Sequence, residues 1–319
     1  MVDELLDLRV CRVCGAPVRD NRDIGRGGDD VCASCAIAGS DDSGLEPLQG
    51  GQEAEIGLSG VDAELPAPPP SVDPDNPPWG PFTGLGTWAF SIAASIIIPS
   101  IPLVLIIFGK MMSGASPEEV QSWPMSPQSM LVLTIATFPA HVLILVFCWA
   151  VVTKFGKRPF FQSLGWNWAG RSALYWSLVS VGIVIAINVA SNYLLRWLPD
   201  RPSPFEELLK SSPSVRIATV VLAVLSAPLV EEVVYRGVLF SGLRKRLNAT
   251  ASVLIVTAIF VGVHVPQYLG AWRTIAGLTL LSLALTILRA RTCSLLPSFI
   301  LHLLNNSIAS AAIMFLETD

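Results

Sequence analysis

The chain has 319 residues, of which 52% are hydrophobic and only 14% are charged. Together with a mean hydropathy of +0.56, this composition excludes an ordinary soluble domain and indicates an integral membrane protein. The formal net charge of −4 says little about partners, because much of the acid lies in the first 80 residues. We expect the lipid bilayer to surround the protein, and we expect no nucleic-acid partner.

Four cysteines near the start of the chain form two C-x-x-C pairs, Cys11 with Cys14 and Cys32 with Cys35. This spacing is typical of a structural zinc site with four thiolate ligands. The first 30 residues lack the apolar core of a secretory signal, so we expect the segment to remain in the reducing cytosol. The sequence therefore predicts a zinc-ribbon-like segment over residues 1–35, with two disulfides or four free thiols as the alternative. Its binding partner is unknown.

Residues 36–85 are rich in Gly, Pro, Asp and Glu, and they include the run P-A-P-P-P-S-V-D-P-D-N-P-P. A segment of this composition buries too little apolar surface to offset the entropy of ordering it. We predict a disordered linker here, followed by a transmembrane domain over residues 86–319.

Apolar runs long enough to cross a bilayer recur throughout the transmembrane domain. They predict an all-α fold, a polytopic bundle of about seven spans, with six to eight as the range. The loops on one side contain nine Lys and Arg residues and those on the other contain six, which favours a cytoplasmic N-terminus. We expect the host membrane to be the plasma (inner) membrane. The seven runs lie near 87–109, 129–153, 172–195, 216–241, 249–268, 272–290 and 294–316.

Two adjacent glutamates, Glu231 and Glu232, are the only acidic residues between Glu207 and Glu317. Ionisable side chains at bilayer depth are costly and usually mark a functional site. Four residues separate Glu232 from Arg236, so these two side chains share a helix face and can form an ion pair. Glu231 has no such partner and is a candidate general base. A purely structural ion-pair network is the alternative.

Two of the three histidines, His264 and His302, lie in the same C-terminal part of the chain as the glutamates. Counting residues from the basic loops at about 1.5 Å per residue brings both near the depth of Glu231. Asn306 is four residues after His302 and shares its helix face. For the third histidine, His141, which has no polar companion in the sequence, we predict core packing.

These residues resemble the motifs of the CAAX prenyl protease and bacteriocin-processing family, which also includes lysostaphin-resistance-like intramembrane proteases. E-E-V-V-Y-R at 231–236 is similar to its E-E-x-x-x-R motif, F-V-G-V-H at 260–264 to F-x-x-x-H, and H-L-L-N-N at 302–306 to H-x-x-x-N. The resemblance covers residues 170–316, and the three motifs occur in the family's order.

The resemblance implies an endopeptidase that hydrolyses peptide bonds of membrane-associated proteins or peptides, with prenylated CAAX-type substrates as one class. In that family the residues that match Glu231 and His264 activate water, and those that match His302 and Asn306 stabilise the oxyanion. Glu232 and Arg236 would then organise the site.

A catalytic metal is the open question for such a site, because one Glu and two His also form a common zinc ligand set. Against zinc, the sequence has no H-E-x-x-H motif, and no carboxylate partner for either imidazole is recognisable. We therefore expect catalysis without a metal, while a metalloprotease stays open.

Two other classes of protein would retain buried polar residues in a membrane bundle. A non-catalytic scaffold or adaptor of the same fold could recruit a partner through the cysteine segment, although it would not need the whole set of motif residues. A proton-coupled transporter would also use buried Glu, His and Arg, but the sequence shows none of the internal repeats typical of transporters.

Overall fold

The computed structural model describes residues 9–10, 17–18, 73–199 and 201–315. Contacts divide the chain into two units, a smaller one over Asp7–Ser71 and a larger one from Val72 onward. In the smaller unit, strand β1, Arg9–Val10, pairs antiparallel with strand β2, Pro17–Val18. Cys11, Cys14, Cys32 and Cys35 lie outside the described residues, so the zinc-ribbon-like segment stays a prediction.

The regular elements of the larger unit, within the described residues, are helices. In chain order they are α1 Pro81–Met112, α2 Pro117–Ser122, a 3₁₀ turn Trp123–Met125, α3 Pro127–Thr153, α4 Phe160–Ser163, α5 Ala173–Val189, a π-helical turn Ala190–Leu194, α6 Pro204–Ser211, α7 Pro213–Leu225, α8 Ala227–Glu231, a π-helix Glu232–Leu239, α9 Phe240–Arg244, α10 Ala249–His264, α11 Trp272–Thr292 and α12 Leu296–Phe315.

Six stretches of helix within the described residues are long and apolar enough to cross a membrane. They are Pro81–Met112, Pro127–Thr153, Ala173–Tyr193, Pro213–Arg244, Trp272–Thr292 and Leu296–Met314. Large apolar side chains on their outer faces, such as Ile96, Leu105 and Phe108 of α1, are exposed, as expected where lipid replaces water as the solvent. The protein is an integral membrane protein.

The fifth of the seven predicted spans is shorter in the structure. Its helix, α10, ends at His264 after 16 residues, whereas the apolar run continues to residue 268. Pro266 has no amide hydrogen and cannot continue the helical hydrogen bonding, and Gly270 has a φ of +94°, which ends the turn that follows. The apolar run 249–268 has the length of a membrane span, but its last residues do not form a helix.

The helical stretch from Pro213 to Arg244 lies at the centre of the bundle, and every residue from Glu232 to Leu243 is buried. It is not a regular α-helix: it is interrupted at Ser226, and it is π-helical from Glu232 to Leu239. π-Helical turns are rare in proteins, and those that occur often lie at functional sites. Here the π-helix includes most of the E-E-V-V-Y-R motif, so the irregular part of the helix coincides with the candidate site.

The residues just before α1 close the end of this π-helix. The indole Nε1 of Trp79 donates a hydrogen bond of 3.0 Å to the carbonyl oxygen of Val238. Glycines allow the backbones to approach: a Cβ added at Gly84 would lie 3.2 Å from Leu239 Cα, and one at Gly242 would lie 2.9 Å from the Gly80 oxygen. The start of α1 is thus in direct backbone contact with the stretch Pro213–Arg244, called the motif helix below because it carries the E-E-V-V-Y-R motif.

Asp75 connects the segment before α1 to the C-terminal end of α11. Its carboxylate accepts a bond of 2.8 Å from Nη1 of Arg289, which is fully buried and also donates to Ser241. The thiol of Cys293 lies 3.3 Å from the other oxygen of Asp75. Burial, with the negative charge of Asp75, raises the pKa of this thiol to about 12, so it stays protonated. Helix α1 begins at Pro81, so the last residues of the predicted linker belong to the helical unit.

Candidate active site

Glu232 and Arg236 form the ion pair that their spacing predicts. Both side chains are fully buried, and Arg236 Nη1 lies 3.1 Å from Glu232 Oε1. The guanidinium also donates to Ser282 Oγ at 2.9 Å and to Thr286 Oγ1 at 3.3 Å, both on α11. Its carbon Cζ lies 4.5 Å from the centre of the Phe260 ring on α10. Arg236 therefore joins the motif helix to two neighbouring helices.

His302 lies between the two glutamates, an arrangement that the sequence did not predict. Its Nδ1 is 3.0 Å from Glu232 Oε1, and its Nε2 is 3.6 Å from Glu231 Oε2. Because a carboxylate can only accept, Nδ1 carries a hydrogen and donates it to Glu232. The expectation that neither imidazole has a carboxylate partner is therefore wrong for His302, since the partner comes from a helix 70 residues away in sequence.

Glu231 differs from Glu232 in its access to solvent. Its side chain is 24% exposed, whereas that of Glu232 is 0% exposed. Glu231 faces a cavity of about 380 Å³ whose lining also includes His264, His302, Asn305 and Asn306. The adjacent carboxylates thus have different surroundings, one lining a cavity and one enclosed in an ion pair.

His264 is the last residue of α10 and reaches the same cavity. Its Nδ1 lies 2.7 Å from the backbone oxygen of Phe260, one turn earlier. A carbonyl oxygen only accepts, so Nδ1 carries the hydrogen and the neutral imidazole has its lone pair on Nε2. The imidazole packs against the Phe260 ring, with 4.6 Å between the centroids and an angle of 34° between the ring planes.

Asn306 also lines the cavity, but one of its amide hydrogens is already used. Nδ2 donates a bond of 3.0 Å to the backbone oxygen of Ala223 in α7. In an unbroken helix this oxygen would accept from the amide of residue 227. Asn306 therefore compensates for the interruption at Ser226, and its second amide hydrogen remains for a ligand.

His141 is buried, as predicted, but it also has a polar partner that the sequence did not reveal. Its Nδ1 lies 2.9 Å from Ser226 Oγ at the helix interruption, and it is 9% exposed. The partner is 85 residues away, so no local pattern could reveal it. His141 is not among the cavity-lining residues.

A catalytic metal would need several ligating side chains close together. Within the part of the chain that the structure describes, no three His, Cys, Asp or Glu side chains are grouped as a metal site would require. The Glu232–His302 contact is, however, the kind that orients imidazole ligands in zinc enzymes.

The membrane-spanning helices define the class as an integral membrane protein, and its core holds a buried Glu–His–Arg network beside a cavity. Residues 213–308, which contain the candidate site, match the Rce1-like family model. Its description is type II CAAX prenyl endopeptidase Rce1-like. This match confirms the family resemblance of the motifs, and it contains Glu231, Glu232, Arg236, His264, His302 and Asn306. The family is one of membrane proteases. No curated protein and no solved structure matched the chain.

Proposed function

We propose that the protein is an intramembrane endopeptidase in which Glu231 and His264 activate water while His302 and Asn306 bind the oxyanion. The observation that carries this proposal is the cavity whose lining includes all four of these side chains, which come from the three motifs. Hydrolysis of an amide needs a base for water and donors for the carbonyl oxygen, and these residue types supply both.

Glu231 is the proposed general base. Its carboxylate is partly exposed to the cavity and is not enclosed in the Arg236 ion pair, so it can accept a proton from water. The lone pair on Nε2 of His264 can accept the second hydrogen of the same water, because Nδ1 is bound to Phe260. The two acceptors would direct the water oxygen toward the scissile carbonyl carbon.

His302 and Asn306 are the proposed donors to the oxyanion. With Nδ1 donating to Glu232, His302 would donate to the oxyanion in the form that also carries a hydrogen on Nε2. Asn306 would offer the amide hydrogen that Ala223 does not use. Each donor of this kind contributes about 2.7–4 kcal/mol to lowering the barrier. Glu232 and Arg236 hold His302 in place.

The proposed substrate is a membrane-associated protein or peptide, with a prenylated CAAX-type sequence as the class to test first. The purified protein would be reconstituted in liposomes with an internally quenched farnesylated CAAX peptide, and with the same peptide lacking the prenyl group. We expect mass spectrometry to show cleavage of the prenylated peptide. Recovery of both peptides intact would contradict the proposed function.

The same assay tests catalysis without a metal. In a variant with Cys11, Cys14, Cys32 and Cys35 replaced by serine, we expect treatment with a zinc chelator to leave the cleavage rate unchanged, because Glu231 and His264 activate water by themselves. The replacements prevent loss of structural zinc from affecting the result. Activity that is lost with the chelator and restored by zinc would instead assign a metalloprotease, with His302 oriented by Glu232 as a ligand.

We also propose that the four N-terminal cysteines bind a structural zinc ion. Strands β1 and β2 flank the first C-x-x-C pair in sequence, and a metal would replace the core that so short a segment lacks. Elemental analysis of the full-length protein should give about one zinc per chain, and Cys11→Ser should abolish it. The Cys148→Ser control, in α3, should retain zinc; equal metal content in all three proteins would refute the site.

A further inference from the structure

The helix that carries Glu231 is interrupted five residues before it. Helix α7 ends at Leu225, Ser226 has φ −116° and ψ −37°, and α8 begins at Ala227. Pro228 has no amide hydrogen to donate to the preceding turn. The direction of α8, and with it the position of Glu231, therefore depends on the contacts that hold the interruption.

Two side chains from different helices contact the interruption at Ser226. From α12, Asn306 donates to the oxygen of Ala223 at 3.0 Å. From α3, Nδ1 of His141 lies 2.9 Å from Ser226 Oγ. The hydroxyl of Ser226 in turn donates to the oxygen of Leu222 at 3.3 Å, so the hydrogen between Ser226 and His141 belongs to the imidazole. His141 is the donor.

This contact is more than ordinary packing. A polar side chain in a membrane helix is costly, and it is usually retained for a function. His141 donates to Ser226, where the helical hydrogen bonding is interrupted before Glu231. The helical bonding of α8 begins at the same residue, because Val230 donates to the Ser226 oxygen at 3.1 Å. A shift at Ser226 is transmitted to Glu231 through a single helical turn.

We propose that His141 is a positioning residue of the proposed protease, which fixes Glu231 relative to His302 and the cavity by holding the helix interruption at Ser226. The inference rests on the proposed function. His141 does not touch the reacting atoms; it acts through Ser226 and α8.

The test compares two replacements of His141 with the protein reconstituted in liposomes and the farnesylated CAAX peptide as the probe. His141→Phe keeps a ring but removes the donor, whereas His141→Asn keeps an N–H near the position of Nδ1. Because small misplacements of a catalytic group are costly, we expect His141→Phe to lower kcat about 10- to 100-fold with KM unchanged. His141→Asn should stay within about threefold of the wild type, since the bond to Ser226 is retained.

Ser226→Ala provides an independent variant, in case His141→Phe does not fold. It should lower kcat about as much as His141→Phe, and the double variant should be no slower than either single one, since both remove the same contact. Hydrogen exchange of the amides of Val230 and Glu231 should be faster in His141→Phe and Ser226→Ala but unchanged in His141→Asn. This second readout needs no substrate.

The possible failures are distinguishable. If Glu231→Gln abolishes cleavage but both Ser226→Ala and His141→Phe retain wild-type kcat, the positioning role is overturned and the proposed function stands. The same holds if His141→Asn is as slow as His141→Phe, because the hydrogen bond would then not be the reason. If the wild-type protein cleaves nothing, or Glu231→Gln cleaves normally, the proposed function fails and this inference fails with it.

Discussion

Replacing Glu231 by Gln should lower kcat for peptide hydrolysis by about 10²–10⁴-fold, the range that a general base contributes. Gln retains the size and hydrogen bonding of the side chain but cannot accept a proton from water. KM and the amount of folded protein in the membrane should change little, because Glu231 is not part of the buried ion pair. Single-turnover cleavage of the reconstituted peptide substrate measures the effect.

The matched control is Glu118→Gln, which makes the same chemical change on the exposed surface of α2. It should cleave at the wild-type rate. If Glu231→Gln were equally active, Glu231 would have no catalytic role, and the alternative that the acidic pair is purely structural would be favoured.

Replacing Arg236 by Met should destabilise the protein by about 3–5 kcal/mol, the cost of leaving a buried charge without its partner. Glu232 would lose its ion pair while remaining fully buried, and Ser282 and Thr286 would lose their donor. Met fills much of the same space, so the lost charge dominates over a cavity. Equilibrium unfolding in mixed detergent micelles gives the free energy of unfolding.

Two comparisons show whether burial of the charge is the cause. Lys110→Met breaks the partly exposed ion pair with Glu119 on the surface, and it should cost less than about 1 kcal/mol. The double variant Glu232→Gln with Arg236→Met should be more stable than Arg236→Met alone, because it leaves no unpaired carboxylate. Equal costs for the Lys110 and Arg236 variants would rule out the explanation.

The contacts that could be predicted from the sequence are the local ones. Glu232 and Arg236 are four residues apart, so any helical geometry brings them together, and the ion pair is present. The apolar runs predicted the bundle because, in lipid, spanning length and composition nearly determine the helix. The approximate depth of His264 and His302 followed from counting residues along helices, and both line the cavity beside Glu231.

The remaining features depend on contacts between distant parts of the chain. The bond between His302 and Glu232 and the bond between His141 and Ser226 join helices that are 70 and 85 residues apart. No propensity of its residues indicates the π-helix. Its C-terminal end lies where Trp79 donates to the Val238 oxygen and where Gly84 lets the start of α1 approach the Leu239 backbone. Asp75 lies in a Pro-rich run that reads as linker, and only its contact with Arg289 shows otherwise.

The short helix α10 bears on how the second reactant of hydrolysis reaches the site. Its 16 residues span about 24 Å, whereas the hydrocarbon layer is about 30 Å thick. Its last carbonyl groups would therefore lie below the membrane surface, where irregular backbone is tolerated only if it is buried in protein or lines a water-filled space. His264 stands at that end and faces the cavity. We therefore expect water to reach Glu231 from this end of α10, where the cavity that both residues line begins.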